Sequence, residues 1–268
     1  MFAENVTEVV LPANTIVARA GSRLDALHLV LAGEIATTGS QRRAWGPRQV
    51  FGGLEVLANR EASETAMATV ATTTLQLLAP DVTEILEESF GVMLAALRGL
   101  AAAYATDARQ RRQPRLLLDR SREDSLGFVG RLMLLRQQEA FSAAPLESLV
   151  ALAHASEDVA LPAGMLVTRA GIASTSSYVI VAGALSAIDS SGAARKIGPG
   201  EAIGHLEALA SQLHEETIEV VEPARALKLE ASRVFDVIED HTDFGRAILA
   251  VLADGLLAGP RTTHDVRR

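Results

Sequence analysis

The chain is written twice. Leu11-Pro12-Ala13, Val17 and Arg19-Ala20-Gly21 recur 150 positions on as Leu161-Pro162-Ala163, Val167 and Arg169-Ala170-Gly171. Ala32-Gly33 returns as Ala182-Gly183 at the same offset. Gly46-Pro47, Gly52, Leu54-Glu55 and Leu57-Ala58 return as Gly198-Pro199, Gly204, Leu206-Glu207 and Leu209-Ala210, now 152 positions on. A long period kept in register, with a two-residue slip where a loop lengthens, predicts two copies of one domain. The fold must therefore close within about half the chain, and each half reads as a binding module used in tandem.

Composition narrows the functions. With 268 residues, each copy is long enough to bury its own core. Hydrophobic residues make up 49% of the chain and aromatic ones 4%, so the cores are aliphatic, with Trp45 the single tryptophan. The formal net charge of −8 argues against a broad surface that tracks nucleic-acid phosphates. The chain has no cysteine, which excludes disulfides, thiolate catalysis and cysteine-ligated zinc. Glu4 and Glu8 stand where a signal peptide needs a basic start and an apolar run. Leu94–Ala105 is apolar, but it is interrupted by Arg98 and too short to span a bilayer. The expectation is a cytoplasmic protein that uses no membrane.

Short strand-like runs open each copy. Glu8–Leu11, Thr15–Ala18, Ala26–Leu31 and Gly33–Ala36 lead to a polar hairpin at Thr38–Arg43. Copy two repeats them as Glu157–Leu161, Met165–Arg169, Ser177–Val181 and Ala184–Ile188, with a Ser190-Ser191-Gly192 turn. Short strands punctuated by Gly and Pro predict an antiparallel sandwich or barrel. Helices follow: Val82–Glu88 capped by Asp81, then Ser89–Arg112, and in copy two Arg233–Asp240 capped by Ser232, then Asp243–Leu257. Helices at Leu126–Gln137 and Pro145–Ala155 precede copy two. The fold class is thus mainly β with flanking helices (α+β), two tandem jelly-roll β-rolls each followed by helices. The expected boundaries are residues 1–113, a linker over 114–124 and residues 125–268.

These spaced elements resemble the cyclic-nucleotide-binding domain family, in the tandem arrangement of the regulatory subunits of cAMP-dependent kinase. The family's phosphate-binding cassette, Phe-Gly-Glu-Leu followed by a loop and Arg-Ala-Ala-Thr, is similar to Phe51-Gly52-Gly53-Leu54 with Ala66–Val70. In copy two it is similar to Ile203-Gly204-His205-Leu206 with His214–Ile218. The segment from Phe141 to Ala153 is similar to the helix that precedes such domains. The resemblance implies a non-enzymatic regulatory protein that senses a small anionic ligand, cAMP or cGMP, and couples it to a protein effector. The alternative is a scaffold that keeps the fold without the nucleotide.

In the family, the cassette Glu accepts a hydrogen bond from the ribose hydroxyl and the Arg neutralises the cyclic phosphate. Here the Glu position holds Gly53 in copy one and His205 in copy two. The Arg position falls near Thr65 or Ala66 in copy one and on His214 in copy two. A charge-assisted hydrogen bond contributes about 1.5–3 kcal/mol, so two lost contacts weaken a cyclic nucleotide by orders of magnitude. The candidate ligand-binding residues are Gly52, Gly53, Leu54, Glu55, Arg60 and Thr65 in copy one. In copy two they are Gly204, His205, Leu206, Glu207, His214 and Thr217. Arg60 is open between a substitute guanidinium and a solvated loop residue. Glu55 and Glu207 are open between replacing the missing acid and a solvent-facing or capping role. His205 and His214 are open between phosphate contacts when protonated, giving pH-dependent binding, and ordinary surface positions.

No other constellation reads as catalytic. The six histidines contain no His-x-His pair and no pair one helical turn apart, so neither a metal centre nor a cofactor is expected. The serines lack a nucleophile-elbow context. The arginines between 109 and 122 are interleaved with Asp119 and read as a solvated linker, and no recognition helix follows either roll, so no DNA partner is expected. The wide apolar stripe of Ser89–Tyr104 fits packing between the halves or the seam of a homodimer.

Overall fold

A computed structural model describes residues 5–39, 42–108 and 126–259. By internal packing the chain divides into two units, residues 1–93 with 253–258 and residues 94–252 with 259–268. The expected linker over 114–124 and its arginines lie outside the described residues.

The first roll runs β1 (Val6–Leu11), β2 (Ile16–Ala18), β3 (Ala26–Ala32), β4 (Ile35–Thr37), β5 (Ala44–Trp45) and β6 (Val50–Phe51). The six-residue helix α1 (Gly53–Ala58) follows, then β7 (Ala66–Ala68), β8 (Thr72–Leu78) and helices α2 (Ala79–Glu88) and α3 (Phe90–Ala108). Its strands form two four-stranded antiparallel sheets, ordered β1-β8-β3-β6 and β2-β7-β4-β5. Alternation along β3 turns Ala26, His28 and Val30 inward. Val30, Ile35, Phe51, Ala62 and Ala66 form the core, with Trp45 edge-on to Phe51 at 5.0 Å between ring centroids. His28 is inside as well, its Nδ1 3.1 Å from Thr74 Oγ1, and burial pushes its pKa down.

Helices α4 (Phe128–Arg136) and α5 (Leu146–Ala155) precede the second roll. Its strands are β9 (Glu157–Leu161), β10 (Leu166–Thr168), β11 (Ser176–Ile188), β12 (Ala194–Ile197) and β13 (Ala202–Ile203). Helix α6 (His205–Ala210), strand β14 (Thr217–Glu230) and helices α7 (Ala231–Asp240) and α8 (Thr242–Ala258) complete it. The six strands form one hydrogen-bonded sheet built around the β11–β14 pair. Leu161, Ile180, Leu185, Ile197, Ile203, Ile218 and Val220 fill its core.

The two strands expected at Ser177–Val181 and Ala184–Ile188 are one continuous strand, β11. Its register against β14 shifts on either side of Gly183, so the strand bends without stopping. Gly183 has φ +87°, and a Cβ there would come within 2.5 Å of Ala224 Cα. The equivalent Gly33, φ +88°, separates β3 from β4 in the first roll.

The two-residue slip between copies also has a place. Ile35 pairs with Trp45 and Leu185 with Ile197, so the extra residues lie in the hairpin between β11 and β12. Asp189 closes that hairpin by accepting from the backbone N–H groups of Ser191 and Ala193.

Both expected caps are displaced. Helix α2 starts two residues before the proposed cap, with Leu78 as N-cap and Pro80 in the first turn, which leaves Asp81 inside the helix. Helix α7 starts after Glu230, so Ser232 is likewise internal. Met93, Leu97, Ala101 and Tyr104 of α3 are buried. Among the described residues no single helix is long and apolar enough to cross a membrane.

Candidate functional site

In both rolls a short strand ends on a glycine that turns the chain into a six-residue helix. Gly52 (φ 80°) is the N-cap of α1 and Gly204 (φ 74°) the N-cap of α6. Only glycine fits. A Cβ on Gly52 would lie 2.8 Å from Leu24 Cδ2, and one on Gly204 would lie 2.8 Å from the Ser176 carbonyl oxygen. Both helices end in left-handed residues, Asn59 (φ 52°) and Ser211 (φ 54°). The next backbone N–H returns to the helix in each case, from Arg60 to Glu55 O at 2.9 Å and from Gln212 to Glu207 O at 2.8 Å.

The loops after these helices fix the correspondence residue by residue. The Gly21 N–H donates to Ala62 O and the Gly171 N–H to His214 O, both at 2.8 Å. Thr65 Oγ1 accepts from Ala20 N–H at 3.1 Å, as Thr217 Oγ1 does from Ala170 N–H at 3.2 Å. Thr65 and Thr217 are thus equivalent, and both hydroxyls brace a loop. The counterpart of His214 is Ala62, not Thr65 or Ala66. Carrying the offset of 152 forward from Gly52 and Gly204 would have found it.

The first roll keeps the frame and fills it with apolar groups. Gly53 brings no side chain, Leu24 packs on Gly52, and Ala62 is part of the core at 6% exposure. Arg60, considered above as a substitute guanidinium, donates from Nε to the carboxylate of Asp254, a residue of the same unit. Arg60 and Glu55 line an open groove of about 440 Å³ with Arg23, Asp25, Asn59 and Leu78. Glu55 and Glu207 sit in the first turns of their helices and cap neither, since neither N-cap glycine is met by a side chain. Leu54 is half-buried in α1, and its counterpart Leu206 is fully buried in α6.

The second roll is polar at the same points. Ser174, the counterpart of Leu24, is buried and donates from Oγ to Gly204 O at 3.1 Å. The His214 ring lies against the cassette glycine, with Cε1 3.3 Å from where a Gly204 Cβ would stand. The half-buried Glu207 is close enough for its charge to act on His205, His214 and Arg195. Arg195, on β12, grips Glu216 with two hydrogen bonds, Nη2 to Oε2 at 2.8 Å and Nε to Oε1 at 3.2 Å. Neither Arg195 nor Glu216 was marked by the sequence, because the pair is formed across the roll.

Burial and charge act on both histidines in opposite senses. Burial pushes the pKa of His205 and of His214 below the usual imidazole value, with Glu207 pulling the other way. His205 Nδ1 is sealed from solvent and has no hydrogen-bond partner. It borders a cavity of about 10 Å³ with Ala140, Phe141, Ser177 and Val234, about the volume of one water. Among the described residues no group of three or more His, Asp or Glu side chains could hold a metal ion.

Residues 158–241 match the family model described as cyclic nucleotide-binding domain. The second roll is similar to a cyclic nucleotide-binding domain over those residues. The matched residues run from β9 to the end of α7 and contain the whole cassette from Gly204 to Thr217. The first roll lies outside the match and repeats the same turn, helix and loop. Similar solved structures include the regulatory domain of Toxoplasma gondii PKA with cAMP: 16% identity, 89% of this chain and 85% of that one, TM-score 0.36. Another is the regulatory subunit of a cAMP-independent protein kinase A from Trypanosoma cruzi bound to guanosine: 15%, 89% and 80%, TM-score 0.35. A third is the N-terminal domain of a transcriptional regulator from Streptomyces coelicolor A3(2): 21%, 50% and 97%, TM-score 0.43. No curated protein matches the chain significantly. Domains of this family are regulatory rather than catalytic.

Proposed function

We propose that this chain is a non-catalytic regulatory protein whose second roll senses a small ligand at the cassette Gly204–Thr217. Ligand occupancy is passed to a protein effector. The observation that carries this reading is the left-handed glycine turn at Gly204 with the polar side chains of Glu207 and His214 beyond it, inside the residues that match a ligand-binding family. Helices α4 and α5 before the roll and α7 and α8 after it are the elements through which ligand binding would bias a partner. The domain boundaries proposed are residues 1–113, a linker at 114–124 and residues 125–268.

The first roll supports a different role. With Gly53 and Ala62 at the positions of the family's Glu and Arg, its cassette lacks those two ligand contacts, and it serves as a scaffold. The chain thus joins the two readings, a sensor in one roll and a scaffold in the other. Cyclic nucleotides bind the second roll weakly, because no arginine occupies the loop position held by His214.

Thermal unfolding of the full chain tests this. The probes are cAMP, cGMP, adenosine and guanosine at millimolar concentration. A ligand at 100 times its dissociation constant stabilises by about 2.7 kcal/mol, a shift a melting curve resolves. A shift with any of the four supports the sensor. No shift with any of them overturns it.

A further inference from the structure

Beyond the ligand sensor and independently of it, we infer that the outer face of the sheet β1-β8-β3-β6 is a docking surface for an amphipathic helix of a partner protein. The whole sheet belongs to the first roll. Ala26, His28 and Val30 of β3 point inward, so Leu27, Leu29 and Leu31 point outward. Leu77 and Leu75 of β8 stand in register with Leu27 and Leu29. Leu11 and Phe51 pack on the core, which turns Val10 of β1 and Val50 of β6 outward at the two edges. An antiparallel sheet with one face on a core normally carries polar residues on the other. Here Val10, Leu31 and Val50 are 66%, 44% and 46% exposed, and a contiguous apolar patch of this kind marks an interaction site.

The second roll shows what such a face accepts. Val179, Val181, Leu227 and Leu229 are the counterparts of Leu29, Leu31, Leu75 and Leu77. All four are buried, and none belongs to the core inside the roll. The helical segment that precedes the roll meets this face on β9 and on β11, the two neighbours of β14. The Leu126 N–H, next to the N-cap of α4, donates to Asp158 of β9. Ala140 and Phe141, beyond the end of α4, border Ser177 of β11, the counterpart of Leu27. Helical chain is thus what covers this face where it is covered.

Size and charge select the same occupant. Four strands about 4.8 Å apart, the longest of seven residues, make a face on the order of 400 Å². Each partner in a stable dimer buries about 800 Å², so the face is too small for a second copy alone. A helix about 10 Å across, laid over it for about three turns, fits. Glu8, the counterpart of Asp158, makes no side-chain hydrogen bond or ion pair with any described residue, and Thr73 stands where Arg225 neutralises Asp158. An unneutralised acid at the edge of the face favours the N-terminus of the incoming helix, where unpaired N–H groups and the positive end of the dipole lie.

Fluorescence anisotropy of a labelled synthetic peptide of residues 126–155, titrated with the full chain, tests the assignment. This peptide carries the helices that meet the equivalent face. The expected result is binding with a micromolar dissociation constant, weakened about 10-fold or more by Val10→Glu and by Leu31→Glu. Glu8→Lys should weaken it about 3-fold. Val10 and Leu31 are solvent-exposed, so both variants should melt close to the wild type, and the melting curve checks that the fold is kept. Ile16→Glu, at a similarly exposed position on the other sheet, should bind like the wild type. The inference is overturned if the peptide fails to bind at millimolar concentration. It is also overturned if the Val10 and Leu31 variants bind as the wild type does, since the peptide then sits elsewhere. Sedimentation of the full chain as a dimer that Leu31→Glu dissociates would assign the face to a second copy and overturn it too. None of these outcomes bears on ligand binding by the second roll.

Discussion

The two rolls share a backbone and differ in what they put around it. Gly52 and Gly204 make the same left-handed turn, and the loops beyond make the same hydrogen bonds. At three facing points, however, Leu24, Gly53 and Ala62 of the first roll stand where Ser174, His205 and His214 stand in the second. The first roll fills these points with apolar groups, whereas the second keeps them polar. The same backbone turn therefore carries different side-chain chemistry in the two rolls.

Reversing that difference should cost most. Ala62→Arg puts a charge into the core of the first roll and is expected to destabilise by about 3–5 kcal/mol, the scale of an uncompensated buried charge. His214→Arg, at a half-exposed site, is expected to stay within about 0.5 kcal/mol. Equal losses for the two in chemical denaturation would erase the contrast between the rolls.

The second roll is also tied more firmly to its first strand. The guanidinium of Arg225 on β14 pairs with the carboxylate of Asp158 on β9, at only 17% and 13% exposure. Asp158 Oδ2 also accepts from Leu126 N–H at 2.9 Å. Arg225→Ala should cost about 3 kcal/mol, because it leaves the buried carboxylate with the Leu126 N–H but no counter-charge. The first roll has Glu8 and Thr73 at the equivalent places and no such pair to lose. Its own exposed pair, Arg60 with Asp254, is 56% and 45% open to solvent, and Arg60→Ala should cost about 0.2–1 kcal/mol. A loss for Arg60→Ala as large as that for Arg225→Ala would show that exposure does not separate the two pairs.

Acid should act on both rolls, through different partners. His28, His205 and His214 have folded pKa values lowered by burial, so the unfolded chain binds their protons first. Stability is full above the ordinary histidine pKa and is lost as pH falls from about 6.5 toward the lowered folded values. Each histidine contributes at most about 1.4 kcal/mol per pH unit in that window. His205→Leu should flatten part of the slope and leave the share of His28, whose Nδ1 faces Thr74. The charges facing His205 are Glu207 and Glu139, and both favour its protonated form, against the effect of burial. An unchanged slope between pH 5 and 7 would remove His205 from the account.

Much of this was legible in the sequence, and the failures have local causes. The repeat located both rolls, and the spacing of Gly, Pro and short apolar runs located their strands. β11 was split in two because Gly183 resembles a turn, whereas it is a bulge in a continuing strand. Asp81 and Ser232 were taken as caps on residue type, but the rolls' last strands deliver the chain to α2 and α7 without a side-chain cap. In the candidate site, the cassette glycines and the missing Glu and Arg were readable from one register. Ala62 was passed over because the copy-one loop was aligned by its similar residues and not by its offset. Arg195 and Glu216, 21 residues apart, meet only through the roll.

Amide hydrogen exchange of the full chain, with and without millimolar cAMP, tests the asymmetry of the rolls most directly. The account predicts added protection across residues 204–217 and none across residues 52–65. Protection centred on 52–65, or shared equally by the two cassettes, would contradict it.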